Sequence, residues 1–137
     1  MHRVLISAIV LSLAPAGPLI AQAQSGHVYG IRYHQVHQGQ EQDYATAYEE
    51  IIRPVFNEAK ERGVIVSYLD LLQAAGSGET THLLITEYAN WADVGEALQK
   101  LNEISQEVLG QSLNDALAGL PEMRDYLRTE FYTSIVP

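Results

Sequence analysis

At 137 residues the chain fits one domain, and an apolar fraction of 47% excludes both a disordered chain and a multi-span membrane protein. Seventeen acidic residues against eight basic ones give a net charge of −9, which excludes nucleic acid and anionic membrane surfaces as partners, since both are bound through cationic patches. The acidic residues are dispersed, with no run longer than Glu49-Glu50, and read as a solvated surface.

Residues 1–23 read as a signal peptide. Arg3 supplies the positive end, Val4 to Leu13 the apolar stretch, and Ala21-Gln22-Ala23 a small-x-small cleavage site. Pro15, Gly17 and Pro18 break the apolar run short of the ~20 residues that span a bilayer, so no membrane anchor is expected after cleavage. The mature domain, residues 24–137, is then exported to the periplasm or secreted. It contains no cysteine, so it must hold together by its core, alone or with an oligomer interface.

Val28 to Val36 is rich in β-branched and aromatic residues and reads as a strand. Tyr29, Ile31 and Tyr33 make its more apolar side, expected to be structural. Gly30, Arg32 and His34 lie on the other side with Val28 and Val36. After a turn at Gln38-Gly39, the apolar spacing becomes helical: Tyr44, Tyr48, Ile51, Val55 and Ala59 share one face, with Ala47 and Ile52 beside them. Pro54 lies inside that pattern and predicts a kink near Ile51–Arg53, because it lacks an N–H and clashes with the carbonyl four residues back. Glu49/Arg53 and Glu58/Arg62 are spaced as ion pairs, and Gly63 ends the helix as a left-handed cap.

Val64 to Leu72 and Thr80 to Tyr88 read as a hairpin about Gly76-Ser77-Gly78. Asn90 is an N-cap for a second helix, in which Trp91, Val94, Leu98, Leu101 and Val108 make the buried stripe up to Gly110. A short helical piece over Ser112–Ala118 and one turn from Pro121 through Tyr126 lead to a last strand, Arg128 to Val136. The order β-α-β-β-α-β predicts an α+β, ferredoxin-like fold: a four-stranded antiparallel sheet with strands one and three central and the helices on one face.

Two helices cover only one face of such a sheet. The uncovered face is expected to carry Arg32, His34 and Thr86 among Val28, Val36, Leu84 and Tyr132, a mixture that suits a cavity or a dimer interior. The chain resembles the dimeric α/β-barrel superfamily, which includes cofactor-free monooxygenases of the antibiotic-biosynthesis type and the NIPSNAP-like proteins. The resemblance lies in the first strand followed by Val36-His37-Gln38-Gly39-Gln40-Glu41, the helical Tyr44 and Tyr48, and the passage Glu87-Tyr88-Ala89-Asn90-Trp91. It implies a homodimer with sheets facing across a barrel interior, where enzymes of this type bind substrate. Haem-degrading members hold iron by a histidine on the second helix, but this chain has none after His82. Asn90 and Trp91 are of the types that cofactor-free oxygenases use, yet a helix start accounts for both.

No cofactor is expected. His34-x-x-His37 with His82 is the nearest approach to a metal set, but three residues apart on a strand puts the first two on opposite faces, and no metal is assigned. The candidate ligand site is Arg32 and His34 with His82 and Tyr88 of the third strand and Glu130 and Tyr132 of the last. A guanidinium, an imidazole and a phenol around one cavity can bind a carboxylate or phenolate and exchange a proton with it. The competing expectation is an internal Arg32–Glu130 ion pair in a non-catalytic, packed homodimer. The favoured function is binding of, or oxygenase-like action on, a small aromatic or anionic compound.

Overall fold

The computed structural model describes residues 26–134. The expected signal peptide lies outside them. Strand β1 (Val28–Val36) leads into α1 (Glu41–Ala47), which continues through a π-helical turn, Tyr48–Ile52, into α2 (Arg53–Glu61). Strands β2 (Ser67–Leu72) and β3 (His82–Tyr88) form the hairpin. Then come α3 (Trp91–Leu109), α4 (Leu113–Ala116), a 3-10 turn at Leu120–Glu122, and β4 (Arg124–Thr133). The sheet order is β2-β3-β1-β4 with every pair antiparallel, which is the ferredoxin-like arrangement with strands one and three in the centre.

The helix-covered face is the opposite of the one expected. Val28, His34 and Val36 of β1 and His82, Leu84, Thr86 and Tyr88 of β3 are buried beneath the helices. Tyr29, Ile31 and Tyr33 therefore lie on the open face, with Leu69, 53% exposed, and Leu71. Taking the more apolar side of β1 as the core side gave the inverted assignment. Arg32 is tolerated under the helices because it borders a cavity rather than close-packed side chains.

Two irregularities set the remaining phases. Pro54 offers no N–H to the carbonyl of Glu50, and the helix answers with the π turn just before it, where the kink was expected. The wider turn keeps Tyr44, Tyr48 and Ile52 on one face at four-residue spacing, so Ile52 is buried and Ile51 only partly. In β4, Tyr33 pairs with Arg128 and His34 with Tyr126, which leaves Leu127 unopposed as a bulge. Without it Arg124, Tyr126, Arg128, Glu130 and Tyr132 would share a face. With it, Arg124 and Tyr126 turn to the helix side of the sheet, Tyr126 staying 61% exposed on the edge strand, and the other three stay on the open side.

Several boundaries move. The second strand starts at Ser67 because Val64 and Ile65 still bond back to the Ala59 carbonyl, at 2.9 and 3.4 Å. The last strand starts at Arg124, since the expected turn through Tyr126 ends at Glu122. In α3 the buried residues are Ala97, Leu101, Ile104 and Ser105, while Trp91, Leu98 and Val108 are exposed. Small side chains at Ala97 and Ser105 are the ones turned inward, and Ser105 Oγ donates to the Gln111 carbonyl at 2.9 Å. Asn90 caps α3 by accepting from the amides of Ala92 and Asp93, and Gly63 and Gly110 end their helices at φ 71° and 74°.

The π turn makes a discriminating prediction. Ile52→Ala should cost about 2–5 kcal/mol in chemical denaturation, the usual range for emptying a buried isoleucine site, and Ile51→Ala less than half of that. A regular α-helix through this segment would give the reverse order.

Candidate functional site

Between the sheet and the helices lies a cavity of about 230 Å³. Its floor is Arg32 and His34 of β1, Leu84 of β3, and Arg124 and Tyr126 of β4. Tyr48, Ile52 and Phe56 cover it from the first helix, and leucines 98, 101, 113 and 117 close the far side. The cavity is thus apolar over most of its wall and cationic at the sheet end.

The two arginines are the notable charges. Arg53, Arg62, Lys100 and Arg128 each hold a carboxylate within 2.8 Å. Among the described residues, Arg32 and Arg124 have no carboxylate partner, a condition they share with the exposed Lys60. Arg124 donates from Nη1 to the Tyr44 hydroxyl at 2.6 Å. The Arg32 side chain makes no hydrogen bond or ion pair to a described residue. Its guanidinium keeps its whole donor fork for something else.

His34 is 2% exposed, and burial, then the charges of Arg124, His82 and Arg32, push its pKa down to about 3. It is a neutral imidazole at physiological pH. Behind it lies a chain of buried polar groups. Arg124 carries no acceptor, so the Tyr44 oxygen accepts from it, which leaves the Tyr44 O–H free to donate to His82 Nδ1, at 2.9 Å. The other ring nitrogen of His82 is 3.5 Å from Asp70 Oδ1, and Tyr48 also donates to that oxygen. His34 Nδ1 lies 3.3 Å from His82 Nδ1, with the rings stacked at 5.3 Å between centroids. Burial raises the pKa of both Tyr44 and Tyr48, so they remain protonated donors.

Of the residues singled out in the sequence, the structure brings together Arg32, His34 and, behind them, His82. Tyr88 is buried at the far end of β3, and its ring sits against Gly30, where an added Cβ would stand 3.4 Å from it. Glu130 and Tyr132 are on the opposite face. Glu130 there accepts from Tyr132 at 2.5 Å, Arg128 at 2.7 Å and Tyr33 at 2.8 Å, bonds that lower its pKa to about 2. The Arg32–Glu130 ion pair does not form. His37, past the strand end, bonds the Glu122 carbonyl and Asp125 instead of joining the other histidines. Among the described residues no group of three or more His, Asp or Glu side chains is placed to hold a metal.

Sequence reasoning missed Arg124 and Tyr126, which it placed in a helical turn, and Asp70. A signal for the network did exist. Tyr44 and Tyr48 lie one turn apart on the sheet-facing stripe, and buried phenols need partners.

No family model matches the chain, and no curated protein matches it. Solved structures do. A dimeric ferredoxin-like protein from an uncultured marine organism shares 12% identity over 81% of this chain and 96% of its own, at a TM-score of 0.56. A dimeric protein of unknown function with a ferredoxin-like fold, from Bacteroides fragilis, shares 16% identity over 81% and 99%, at 0.53. SnoaB, a cofactor-independent oxygenase from Streptomyces nogalater, shares 12% over 82% and 96%, at 0.53. At these identities the likeness is one of fold. The expected ferredoxin-like α+β fold is therefore the one this chain has.

The depressed pKa of His34 fixes a sign. The unfolded state, at the ordinary value of 6.5, binds a proton that the folded state refuses, so stability falls as pH drops from 6.5 toward 3. His37, whose pKa is raised by its bonds to Glu122 and Asp125, acts in the opposite sense. The lowered carboxylates Glu87 and Glu130 contribute only below about 4.5. Between pH 6.5 and 4.5, denaturant melts should therefore show a smaller loss of stability for His34→Gln than for the wild type. An unchanged slope would mean that His34 is not held neutral.

Proposed function

We propose that the chain is a homodimeric small-molecule-binding protein whose ligand is an organic anion with an apolar, aromatic body. The observation that carries this is the pair of arginines without carboxylate partners, Arg32 and Arg124, set beside a neutral His34 in one cavity of a protein with net charge −9. Cations in so acidic a chain are readily paired, and four of them are. Two left open at one cavity, under apolar walls, suit a ligand that brings its own negative charge. A cavity of about 150 Å³ holds a benzene molecule, so about 230 Å³ suits one ring with its substituents.

Oxygenase-like chemistry is the finer form of this reading. The arginines and the His34 imidazole would stabilise an enolate or phenolate, the electron-rich form of such a ligand. What supports it is the fold shared with a cofactor-independent oxygenase. The dimer reading rests on the open face, where Tyr29, Ile31, Tyr33, Leu69 and Leu71 make an apolar surface, and on fold neighbours described as dimeric. Export is proposed from residues 1–23 alone.

Calorimetry with aromatic carboxylates and phenols, each beside its neutral amide or methyl ether, tests the ligand class. The carboxylates and phenols should bind at least tenfold more tightly than their amides and methyl ethers, and Arg32→Ala and Arg124→Ala should each remove at least tenfold. Arg32→Ala should leave the melting temperature nearly unchanged, since no ion pair is lost. Equal binding within each pair would sink the assignment.

Sedimentation velocity tests the assembly. The protein should run as a dimer at micromolar concentration, and Leu69→Asp should convert it to monomer. A wild-type monomer would refute the use of the open face.

A further inference from the structure

A second cavity, about 190 Å³, lies on the other side of the buried polar chain and is bordered by Tyr44, Tyr48, Glu49, Arg53, Asp70 and His82. His34 borders the first cavity and not the second, whereas His82 and Asp70 border the second and not the first. Among the described residues, the nitrogen-to-nitrogen contact between the two sides is His34 Nδ1 to His82 Nδ1, at 3.3 Å. We propose that His34, His82 and Asp70 form a proton-transfer path from the ligand cavity to water in the second cavity. The path rests on the ligand reading above only for the source of the proton.

The polarity of the hydrogen bonds sets the direction. Arg124 can only donate, so the Tyr44 oxygen accepts from it and its O–H is free to donate to His82 Nδ1; in that arrangement the proton of a neutral His82 sits on Nε2, facing Asp70 at 3.5 Å. His34 has its Nδ1 turned to His82 and no described partner at Nε2. Once the Tyr44 O–H turns away and frees the His82 Nδ1 lone pair, a proton arriving on His34 Nε2 allows the His34 Nδ1–H bond to break and a new N–H bond to form at His82 Nδ1. His82 then gives its Nε2 proton to Asp70, and the resulting carboxylic acid releases it to water, which its 21% exposed side chain can reach. Tyr44, displaced as donor, accepts from the new His82 Nδ1–H while still accepting from Arg124, and turns its own O–H toward the second cavity it borders.

Such a path has a use for one kind of ligand. A carboxylic acid is already ionised in water and needs no proton removed. A phenol or an enol enters neutral and becomes the anion that Arg32 and Arg124 are placed to hold. The path therefore assigns the ligand to the weak acids.

The test needs no ligand. In full-length protein labelled with ¹⁵N-histidine, ring-nitrogen shifts report which nitrogen of His82 is protonated, and saturation transfer from water reports how fast the His82 and His34 ring protons exchange. The wild type should carry the His82 proton on Nε2. Asp70→Asn keeps the shape and the acceptor but cannot take up a proton, and should slow exchange at both rings at least tenfold, with backbone amide exchange unchanged. Unchanged ring exchange, slowing at His82 alone, or a His82 proton on Nδ1 would each overturn the path. The calorimetric series could still succeed in any of those cases, so the two failures are separable.

Discussion

The structure depends on satisfying a row of polar side chains that the sheet turns toward its own helices. Burying an imidazole or a phenol without a partner costs on the order of 1–3 kcal/mol, and here Tyr44, Tyr48, His34 and His82 are all buried together. They satisfy one another. Arg124 at one end can only donate hydrogen bonds, Asp70 at the other accepts from Tyr48, and the Tyr44 hydroxyl and the two imidazoles bridge the space between them. Helix, hairpin and last strand each contribute at least one member, so the network also fixes how those elements meet.

Both backbone irregularities shape the cavity beside that network. Tyr44 and Tyr48 lie at ordinary α-helical spacing, one over His82 and the other over Asp70, and the π turn before Pro54 keeps Ile52 on their side of the helix. The bulge at Leu127 turns Arg124 toward Tyr44 while leaving Glu130 to close the separate cluster of Tyr33, Arg128 and Tyr132 outside. Each adds one residue to a regular pattern, and each turns one cavity-lining side chain inward, Ile52 in the helix and Arg124 in the strand.

Periodicity made the element order, the helix caps, the two i,i+4 ion pairs and the central strands legible. It could not choose the covered face of β1, because the two sides are close in apolar content and the choice is made by what lies opposite. His82 meets a helix that brings two phenols, and Arg32 meets an open cavity. A one-residue bulge leaves no mark on the alternation of Arg124 to Tyr132, so the sequence put Glu130 beside Arg32 when it belongs on the other side. The same blindness hid Arg124. The phase of α3 was lost for a related reason, since Ala97 and Ser105 face inward where larger residues would have been chosen.

The charge distribution bears on what the cavity can take up. A net charge of −9 opposes the approach of an anion, although salt limits the effect to about 10 Å at 0.1 M. Inside, Arg32 and Arg124 favour an anion, because neither has a carboxylate partner and most of the surrounding wall is apolar. A ligand that arrives neutral avoids the first field and, once it sheds its proton, gains from the second. Asp70, whose acceptance of that proton would complete the change, stands behind two imidazoles and away from the arginine end of the cavity. An acidic surface around a cationic cavity thus favours weak acids over permanent anions by the timing of ionisation.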